Sequence, residues 1–349
     1  MTDIGRRKEA HLDIVLGGVA SARSMSTGFE LLCFEHNALP ELDYDKIDLG
    51  ARFLGRRLAA PLLISSMTGG PERARAINQS LARAAAALRI AFAVGSQRIA
   101  LEHSGDGGLG PELRKLAPDV PLLANLGASQ IRGEYGVELA RRAVGMIEAD
   151  ALIVHLNPLQ EAVQEAGDRD WTGVLAGIGR LCDTLEVPVV VKEVGGGISA
   201  KVARQLHAVG VRHIDVAGLG GTSWAAVEAE RATGPRAKSV AEAFRDWGVP
   251  TAIALPQVRA CCPDAVVIAS GGVRDGIDVA KAIRLGADIA GQAASTLPAA
   301  IEGVDAVVEH FSAVIDQLRV ACFCTGSKDL AALRRARLVA RPTTPAVDA

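Results

Sequence analysis

The sequence predicts a closed (β/α)8 barrel of the TIM-barrel type, preceded by an N-terminal extension. The first observation is a repeat, because short apolar runs begin at positions 61, 91, 121 and 151, so that successive starts are 30 residues apart. That spacing is about the length of one strand–helix unit. The second observation is that the pattern continues along the chain to give eight runs, the strand number of this barrel. Strands and helices that alternate over eight units favour a parallel barrel.

Each run has the character of a strand that is covered on both faces. The runs are PLLISSMTGG from 61, AFAVGSQR from 91, PLLANLGASQ from 121, ALIVHLNPLQ from 151, PVVVKEVGGG from 188, HIDVAGLGGTS from 213, AVVIASGGVRDG from 265 and ADIAGQAAS from 287. Their apolar cores lack polar alternation, as expected for parallel strands between a barrel interior and a layer of helices. The segments between them, such as 74–88, 137–147 and 200–210, combine helical periodicity with high helix propensity. An open doubly wound sheet is the alternative, but no GxGxxG motif with a downstream acid supports it.

The chain divides into three parts. Residues 1–60 precede the first run and form an extension that we expect to lie partly over the barrel mouth. Residues 61–334 form the barrel that carries the site. Residues 335–349, RARLVARPTTPAVDA, are expected to be a flexible C-terminal tail because of their proline, threonine and terminal position.

Composition excludes several classes of protein. The 38 basic and 40 acidic residues give a net charge of −2, and no Lys/Arg block marks a surface for nucleic acid or an anionic membrane. No stretch of 18 uninterrupted apolar residues occurs, and the polar start of the chain lacks an apolar signal core. The six cysteines lack metal-ligand spacing, so buried thiols are the simpler interpretation. We therefore expect a cytoplasmic protein without a membrane or nucleic-acid partner.

Active sites of such barrels lie at the C-terminal ends of the strands, so the polar residues that follow each run are the candidates. They fall in 65–70, 95–98, 125–127, 155–161, 192–197, 218–223 and 270–274. The loops GLGGTS and SGGVRDG come late in the barrel, and each precedes a helix. Their glycines either close tight turns or bring backbone N–H groups close to a phosphate. Two such loops, with Arg274 in the second, favour the phosphate.

Lys192 interrupts a run that otherwise reads as a buried strand. A buried ammonium requires a counter-charge or a ligand. At the end of a strand it would suit an electron-rich cofactor ring. The alternative is a lysine that pairs with Glu193 or Asp215.

His155 and Asn157 share one strand face by the two-residue period, and Gln160 and Glu161 follow directly. A lone strand histidine is more often a satisfied core residue, but these neighbours favour a site. Glu161 is an ordinary acid at a helix start unless the ligand is a diphosphate, where Mg²⁺ takes one or two carboxylates together with phosphate oxygens.

A short basic cluster, Arg6, Arg7, Lys8 and His11, stands near the N-terminus. Such a cluster is usually solvated. It becomes an anion clamp if the extension folds over the barrel mouth.

Nine segments match a known family in order along the chain. They are RKEAH (7–11), HNALPELDYDKIDL (36–49), LISSMTGG (63–70), GSQR (95–98), NLGASQ (125–130), HLNPLQE (155–161), VKEVGGGIS (191–199), AGLGGTSW (217–224) and SGGVRDG (270–276). On these segments the chain resembles the type 2 isopentenyl-diphosphate isomerases, FMN-dependent enzymes of isoprenoid biosynthesis. HLNPLQE and RKxxH are the specific motifs, whereas the glycine loops would fit many FMN-binding barrels. Ala217 departs from relatives that have Ser there.

The resemblance implies a set of site residues. FMN would be held by Ser66, Met67, Thr68, Ser96, Asn125, Lys192, Thr222, Gly271, Gly272, Arg274, Ala293 and Ala294. The substrate would be bound by Arg7, Lys8, His11, Arg98 and Gln160, with catalytic contacts from His155, Asn157, Gln160 and Lys192. Glu161 would be the Mg²⁺ ligand. The family also implies NADPH as the reductant of the flavin and a homo-oligomer, a tetramer or an octamer.

The implied reaction is a 1,3-allylic proton shift that interconverts isopentenyl and dimethylallyl diphosphate. An unactivated alkene is a poor base, so a strong and well-placed acid is needed in a dry pocket. In the family, reduced FMN is thought to serve as acid and base with no net redox change. This agrees with the lack of a convincing protein acid–base pair in the sequence.

Two other functions compete with this interpretation. An FMN-dependent barrel oxidoreductase, such as a hydroxy-acid oxidase or a glutamate-synthase-like enzyme, would use the same loops and Lys192. A hydroxy-acid oxidase, however, needs a histidine base late in the barrel, and His310 is the sole histidine after His213. A non-catalytic flavin-binding barrel would have no reason to place polar residues at so many strand ends.

Overall fold

A computed structural model of the chain describes residues 3–67, 72–102 and 107–341. Side chains are described from residue 9 in the first range and from residue 74 in the second. Its strands are β1 (Leu32–Phe34), β2 (Ala51–Phe53), β3 (Arg56–Leu58), β4 (Leu62–Ile64), β5 (Ala91–Ala93), β6 (Leu122–Gly127), β7 (Ala151–Leu156), β8 (Val189–Glu193), β9 (His213–Asp215), β10 (Val266–Ala269), β11 (Ile289–Gln292) and β12 (Leu338–Ala340). Its α-helices are α1 (Asp3–Leu16), α2 (Glu72–Leu88), α3 (Arg98–Glu102), α4 (Glu112–Leu116), α5 (Tyr135–Ile147), α6 (Pro158–Val163), α7 (Val174–Thr184), α8 (Ala200–Ala208), α9 (Trp224–Arg231), α10 (Pro235–Glu242), α11 (Thr251–Cys261), α12 (Gly276–Arg284), α13 (Leu297–Glu302), α14 (Val304–Cys324) and α15 (Leu330–Leu333).

Strands β4 to β11 form a closed parallel barrel, in which β11 returns to pair with β4. Each of the eight apolar runs contains one of these strands, so the predicted (β/α)8 fold is confirmed. Runs without apolar–polar alternation form strands here because the barrel interior covers one face and the helices cover the other.

Inside the barrel, side chains stack in layers according to the two-residue period of the strands. One interior layer is apolar and includes Leu63, Leu123, Ile153 and Val190. The β2–β3 hairpin packs its Phe53 against this layer and closes the N-terminal end of the barrel. The next inward position on each strand lies toward the opposite, C-terminal end. There the inward residues are mostly polar: Ser65, Asn125, His155, Lys192, Asp215 and Ser270.

The N-terminal extension also reaches the C-terminal end of the barrel. Helix α1 contacts α9. The backbone N–H of Ser223 donates to the carbonyl of Ala20 at 2.7 Å, and Ser21 bridges to Thr222. The segment 1–60 therefore contributes a plug at one end of the barrel and a helix beside the other.

The expected tail is wrong for residues 338–340. They form β12, which pairs antiparallel with β1 in the register Leu32 to Ala340 and Phe34 to Leu338. Beyond the ladder, the N–H of Arg341 donates to the carbonyl of Leu31 at 2.7 Å. This pairing joins the two ends of the described chain, which terminal position and composition alone could not indicate. Residues 342–349 of the expected tail lie outside the described residues.

None of the helices that the structure describes combines the length and apolar character that a bilayer crossing requires.

Candidate active site

A cavity of about 460 Å³ opens at the C-terminal ends of the barrel strands. All the predicted site residues whose side chains or glycine backbones the structure describes line this one cavity. They are His11, Ser66, Met67, Ser96, Arg98, Asn125, His155, Asn157, Gln160, Glu161, Lys192, Thr222, Gly271, Gly272, Arg274, Ala293 and Ala294. The side chains of Arg7 and Lys8, and the whole of Thr68, lie outside the described residues.

Asn125 and His155 are inward residues of neighbouring strands and are hydrogen-bonded to each other. Asn125 Nδ2 donates to the carbonyl of Val94 at 3.0 Å, so its Oδ1 is the acceptor that meets His155 Nδ1 at 2.8 Å. Gln97 Oε1 accepts the backbone N–H of Asn125 at 2.9 Å and fixes the segment from behind. Because an amide oxygen can only accept, Nδ1 of His155 is the donor in this contact.

Lys192 lines the cavity and also meets a buried counter-charge. Its Nζ lies 3.8 Å from Asp215 Oδ2 and donates to the carbonyl of Glu193 at 2.7 Å. The Glu193 carboxylate instead accepts backbone N–H groups of 194–197, including that of Gly195 at 2.6 Å. Of the two alternatives for Lys192, the structure therefore shows both a cavity-facing ammonium and a pair with Asp215, but no side-chain pair with Glu193.

A chain of polar contacts crosses the cavity wall from α6 to α9 and α1. Asn157 Nδ2 donates to Gln160 Oε1 at 3.1 Å and to Glu161 Oε1 at 2.9 Å. Gln160 Nε2 donates in turn to Glu228 Oε1 at 3.1 Å, and His11 Nε2 meets the same oxygen at 3.1 Å. The amide of Gln160 is thus oriented from both of its ends.

Glu228 belongs to this chain of contacts, and sequence reasoning missed it. Burial by itself raises the pKa of Glu228, but the hydrogen bonds and charges of His11, Gln160 and Arg231 outweigh burial and bring that pKa below 4.5. A signal was available, because Glu228 lies four residues after Trp224 and so shares its helix face. The Trp224 ring packs edge-on against His11, with centroids 5.1 Å apart.

The predicted anion-binding residues already have acidic neighbours. Arg98 donates to Glu102 and to Asp168, at 3.0 Å in each case. Arg274 is mostly exposed and contacts Asp278 at 3.4 Å. Both guanidinium groups therefore already contact carboxylates, which a bound phosphate group would have to displace or share.

Glu161 presents one carboxylate to the cavity and has a contact at each oxygen. Oε2 accepts the backbone N–H of Asp168 at 2.7 Å, and Oε1 accepts from Asn157. Across the described ranges, no group of three or more His, Cys, Asp and Glu side chains is arranged to hold a metal ion. A magnesium ion at Glu161 would therefore need phosphate oxygens and waters for its other ligands, which is how Mg²⁺ is commonly bound with diphosphates.

The two glycine loops touch each other backbone to backbone. A Cβ on Gly271, whose φ is +92°, would lie 2.1 Å from the carbonyl oxygen of Gly218, and a Cβ on Gly221 would lie 2.7 Å from the N of Gly272. Close packing therefore requires glycine at these positions, independently of any phosphate. The same packing brings Gly221, Gly271 and Gly272 to the cavity wall.

The cavity fits a flavin on observations that do not depend on resemblance. The hydroxyl of Ser66 lines it and is buried with no hydrogen-bond partner among the described residues. An unsatisfied buried hydroxyl is unfavourable, and a polar ligand edge would satisfy it. The cavity wall also presents the Lys192 ammonium and the glycine loops near helix starts. These groups suit an electron-rich ring and a phosphate, the two polar ends of FMN.

Comparison with known proteins agrees with this geometry. Residues 146–340 match the family described as FMN-dependent dehydrogenase. A protein of Xanthobacter autotrophicus named isopentenyl-diphosphate delta-isomerase is 63% identical over 334 residues, covering 96% of this chain and 97% of the relative. A protein of the same name from Stutzerimonas stutzeri is 63% identical over 333 residues, covering 95% and 96%.

Among solved structures, a mandelate oxidase with benzoyl-formic acid superposes with a TM-score of 0.68 at 18% identity, covering 96% of this chain and 98% of that one. At that identity the likeness shows the barrel fold alone. The family follows from the high identity to the two bacterial relatives over nearly their full length. On these grounds the chain belongs to the type 2, FMN-dependent isopentenyl-diphosphate delta-isomerase family.

Proposed function

We propose that the protein interconverts isopentenyl and dimethylallyl diphosphate at the mouth of the barrel. The observation that carries this proposal is the convergence of the predicted cofactor, substrate and metal residues on one cavity. When bound, reduced FMN would supply the acid and base for the allylic proton shift without net redox change. The protein's own residues then have to bind the cofactor and the substrate, orient them, and exclude water.

Lys192 would stabilise negative charge at the inner wall of the cavity. It is 8% exposed, so its charge acts in a medium of low polarity, where electrostatic interactions are stronger than in water. The Ser66 hydroxyl and the Asn125–His155 pair would supply polar contacts along the same wall.

Gln160 would orient the reacting part of the substrate. Asn157 and Glu228 hold the two ends of its amide, so its side chain is positioned before any ligand arrives. Such preorganisation is the main contribution that a protein makes when a cofactor supplies the chemistry.

The diphosphate would bind at the rim of the cavity. Arg98 and His11 line that part of the wall, and we propose that Arg7 and Lys8 of α1 join them. A Mg²⁺ ion shared between Glu161 and the diphosphate would reduce the repulsion between the two anions.

We further propose a reductant, a cellular compartment and an oligomeric state for the protein. NADPH would reduce the flavin once before many turnovers. The protein would act in the cytoplasm, in keeping with its six free cysteines. It would assemble as a homo-oligomer, a tetramer or an octamer, which light scattering after size exclusion would measure.

The competing function is an FMN-dependent barrel oxidoreductase, such as a hydroxy-acid oxidase or a glutamate-synthase-like enzyme. His310, the histidine that such a reaction would require late in the barrel, does not line the cavity. Its Nε2 instead meets Gln292 Oε1 at 2.7 Å, and burial lowers its pKa. The position of His310 therefore favours the isomerase.

The test is an anaerobic incubation with FMN, Mg²⁺, isopentenyl diphosphate and a sub-stoichiometric amount of NADPH. We expect many molecules of dimethylallyl diphosphate per NADPH. Flavin binding with no product, or NADPH consumption in proportion to turnover, would instead support the oxidoreductase. The variants Gln160→Leu and Lys192→Met should lose isomerisation, and full activity in both would favour a non-catalytic barrel.

A further inference from the structure

Asp215 ends β9, and the proposed reaction does not use it. It is 1% exposed and lies in register with Lys192 on the adjacent strand. Lys192 lines the cavity, whereas Asp215 is not among the lining residues. The carboxylate is therefore a buried neighbour of the cavity-lining Lys192 and does not itself line the cavity.

Ser270 connects the two charged groups. Its hydroxyl donates to Asp215 Oδ1 at 2.7 Å, and the N–H of Ala217 donates to the same oxygen at 3.3 Å. Because the hydroxyl has only one proton and gives it to Asp215, its 3.4 Å contact with Lys192 Nζ is one in which the ammonium donates. Asp215, Ser270 and Lys192 thus form a directed chain that ends at the cavity.

The second oxygen of Asp215 faces the side-chain nitrogen of Lys192. Oδ2 has no hydrogen-bond partner within the described part of the chain and lies 3.8 Å from Lys192 Nζ, which is within ion-pair distance. The pKa of Asp215 is raised, mainly by burial, while the Lys192 charge and the Ser270 hydrogen bond oppose that rise. The opposite charge of Lys192 is therefore what favours an ionised carboxylate at this buried position.

Other groups that face Lys192 do not provide this counter-charge. On the β7 side, His155 lies in register with it and is hydrogen-bonded to Asn125. Glu193 directs its carboxylate at backbone N–H groups of 194–197. On the β10 side stands the neutral Ser270. Among the described carboxylates, Asp215 is the one at ion-pair distance from Lys192.

We propose that Asp215 is a positioning residue that keeps Lys192 charged and directed into the cavity. A buried ammonium without a counter-charge tends to lose its proton. With Asp215 beside it, Lys192 can remain a cation that offers its charge to a cofactor that becomes anionic on reduction. This inference rests on the proposed placement of FMN beside Lys192.

The first test follows the protonation of Lys192 directly, by ¹⁵N NMR titration of its ammonium in lysine-labelled protein without added ligand. In Asp215→Asn the carboxamide keeps an oxygen that accepts from Ser270 but removes the charge. We expect the Lys192 titration to move down by about one pH unit or more relative to wild type. Ser270→Ala keeps both charges and serves as the matched control, with a smaller shift.

The second test measures the midpoint potential of bound FMN from about pH 6 to about pH 9, which reports the ratio of affinities for reduced and oxidised flavin. In Asp215→Asn this ratio should fall by about tenfold across the range relative to wild type, as Lys192 loses its proton. This additional fall in the affinity ratio caused by Asp215→Asn should disappear in two backgrounds. In Lys192→Arg the guanidinium stays charged, and in Lys192→Met there is no charge to lose.

Each outcome decides the proposal. An unchanged Lys192 titration in Asp215→Asn would refute it. So would an extra fall in the affinity ratio that persists with Lys192→Met, because Asp215 would then act on the flavin without Lys192. If wild-type protein binds no FMN, the proposed cofactor placement is wrong, and the NMR titration still decides whether Asp215 controls Lys192. Thermal unfolding of each variant checks that the fold is retained.

Discussion

Replacing Glu228 by glutamine removes a buried negative charge on which side-chain donors converge, three of them from the part of the chain whose side chains the structure describes. Oε1 accepts from Gln160 Nε2 and from His11 Nε2, both at 3.1 Å, while Oε2 accepts from Arg231. A glutamine offers only one oxygen, so its NH₂ group must face at least one of these donors. The variant Glu228→Gln removes the charge from all three contacts. Because hydrogen bonds to a charged group are stronger than neutral ones, the glutamine oxygen should stay with the Arg231 guanidinium, and the NH₂ group then faces Gln160 and His11, which must turn.

The size of the effect follows from these three contacts. Hydrogen bonds to charged groups contribute about 1.5–3 kcal/mol and neutral ones about 0.5–1.5 kcal/mol, so each converted bond loses about 1 kcal/mol. The variant no longer buries a carboxylate, which offsets part of the loss, and we expect a net decrease in the free energy of unfolding of about 1–2 kcal/mol. A misplaced Gln160 should lower kcat/KM by about 100-fold.

Chemical denaturation and steady-state isomerisation of the FMN-loaded enzyme measure both effects. The pKa of Glu228 is lowered in the fold, so its stabilising contribution is present above the unfolded pKa and is lost as pH falls through the folded pKa. The stability difference between wild type and Glu228→Gln should therefore shrink below about pH 4.5.

Glu230→Gln is the matched control on the same helix. Glu230 contacts Lys238 at 3.6 Å and Arg245 at 3.9 Å, and it does not line the cavity. Its substitution should leave kcat/KM within about twofold of wild type, because Glu230 is exposed, both contacts are long, and neither partner lines the cavity. A Glu228→Gln enzyme with wild-type kcat/KM, or an equal loss in Glu230→Gln, would show that the Gln160–Glu228 contact does not orient the site.

Three further predictions concern other parts of the molecule. Glu161→Gln should raise both the Mg²⁺ concentration that turnover requires and the KM for the substrate, while the protein retains its FMN. Loss of flavin during gel filtration would contradict the metal assignment. Lys8→Ala should raise the KM for the substrate far more than it changes the FMN Kd. An unaltered KM would show that Lys8 is a solvated residue that does not bind the substrate. Burial lowers the pKa of His213, and Asp288 opposes that shift. As pH falls, His213 therefore takes up a proton in the unfolded chain before it does so in the folded protein. Stability should therefore fall as pH drops below about 6.5, and His213→Leu, which keeps the contact with Phe53 apolar, should reduce that slope in urea titrations.

The barrel could be predicted because its signal is local and repeated. Each strand is a short apolar run such as VVVKE, and each is followed by a segment with helical periodicity, so eight weak signals reinforce one another. The partner of β1 could not be predicted in this way. Residues 338–340 pair with Leu32–Phe34 across some 300 positions, and a three-residue strand carries too little pattern to indicate such a pairing.

The candidate site was predictable to the extent that strand ends determine it. His155, Lys192 and Asn125 follow apolar runs, and the period of two places them inward. Glu228 was not predictable from strand ends because it lies in the middle of a helix, where an acid is usually solvated, and its spacing from Trp224 indicates only a shared helix face. Only the packing of α9 against α1 buries it and brings His11 to its carboxylate.

Short-range patterns in the chain were therefore enough to predict eight strands in a closed barrel, the end of the barrel that carries chemistry, and many of the residues that line the cavity. These features depend on periodicity that neighbouring residues already contain. Which charged groups meet became visible only in the folded structure. That Lys192 faces Asp215 rather than Glu193, and that Gln160 is held by Glu228, depends on distances of about 3–4 Å between separate elements. Electrostatic interactions at that range are set by packing, which no local pattern encodes.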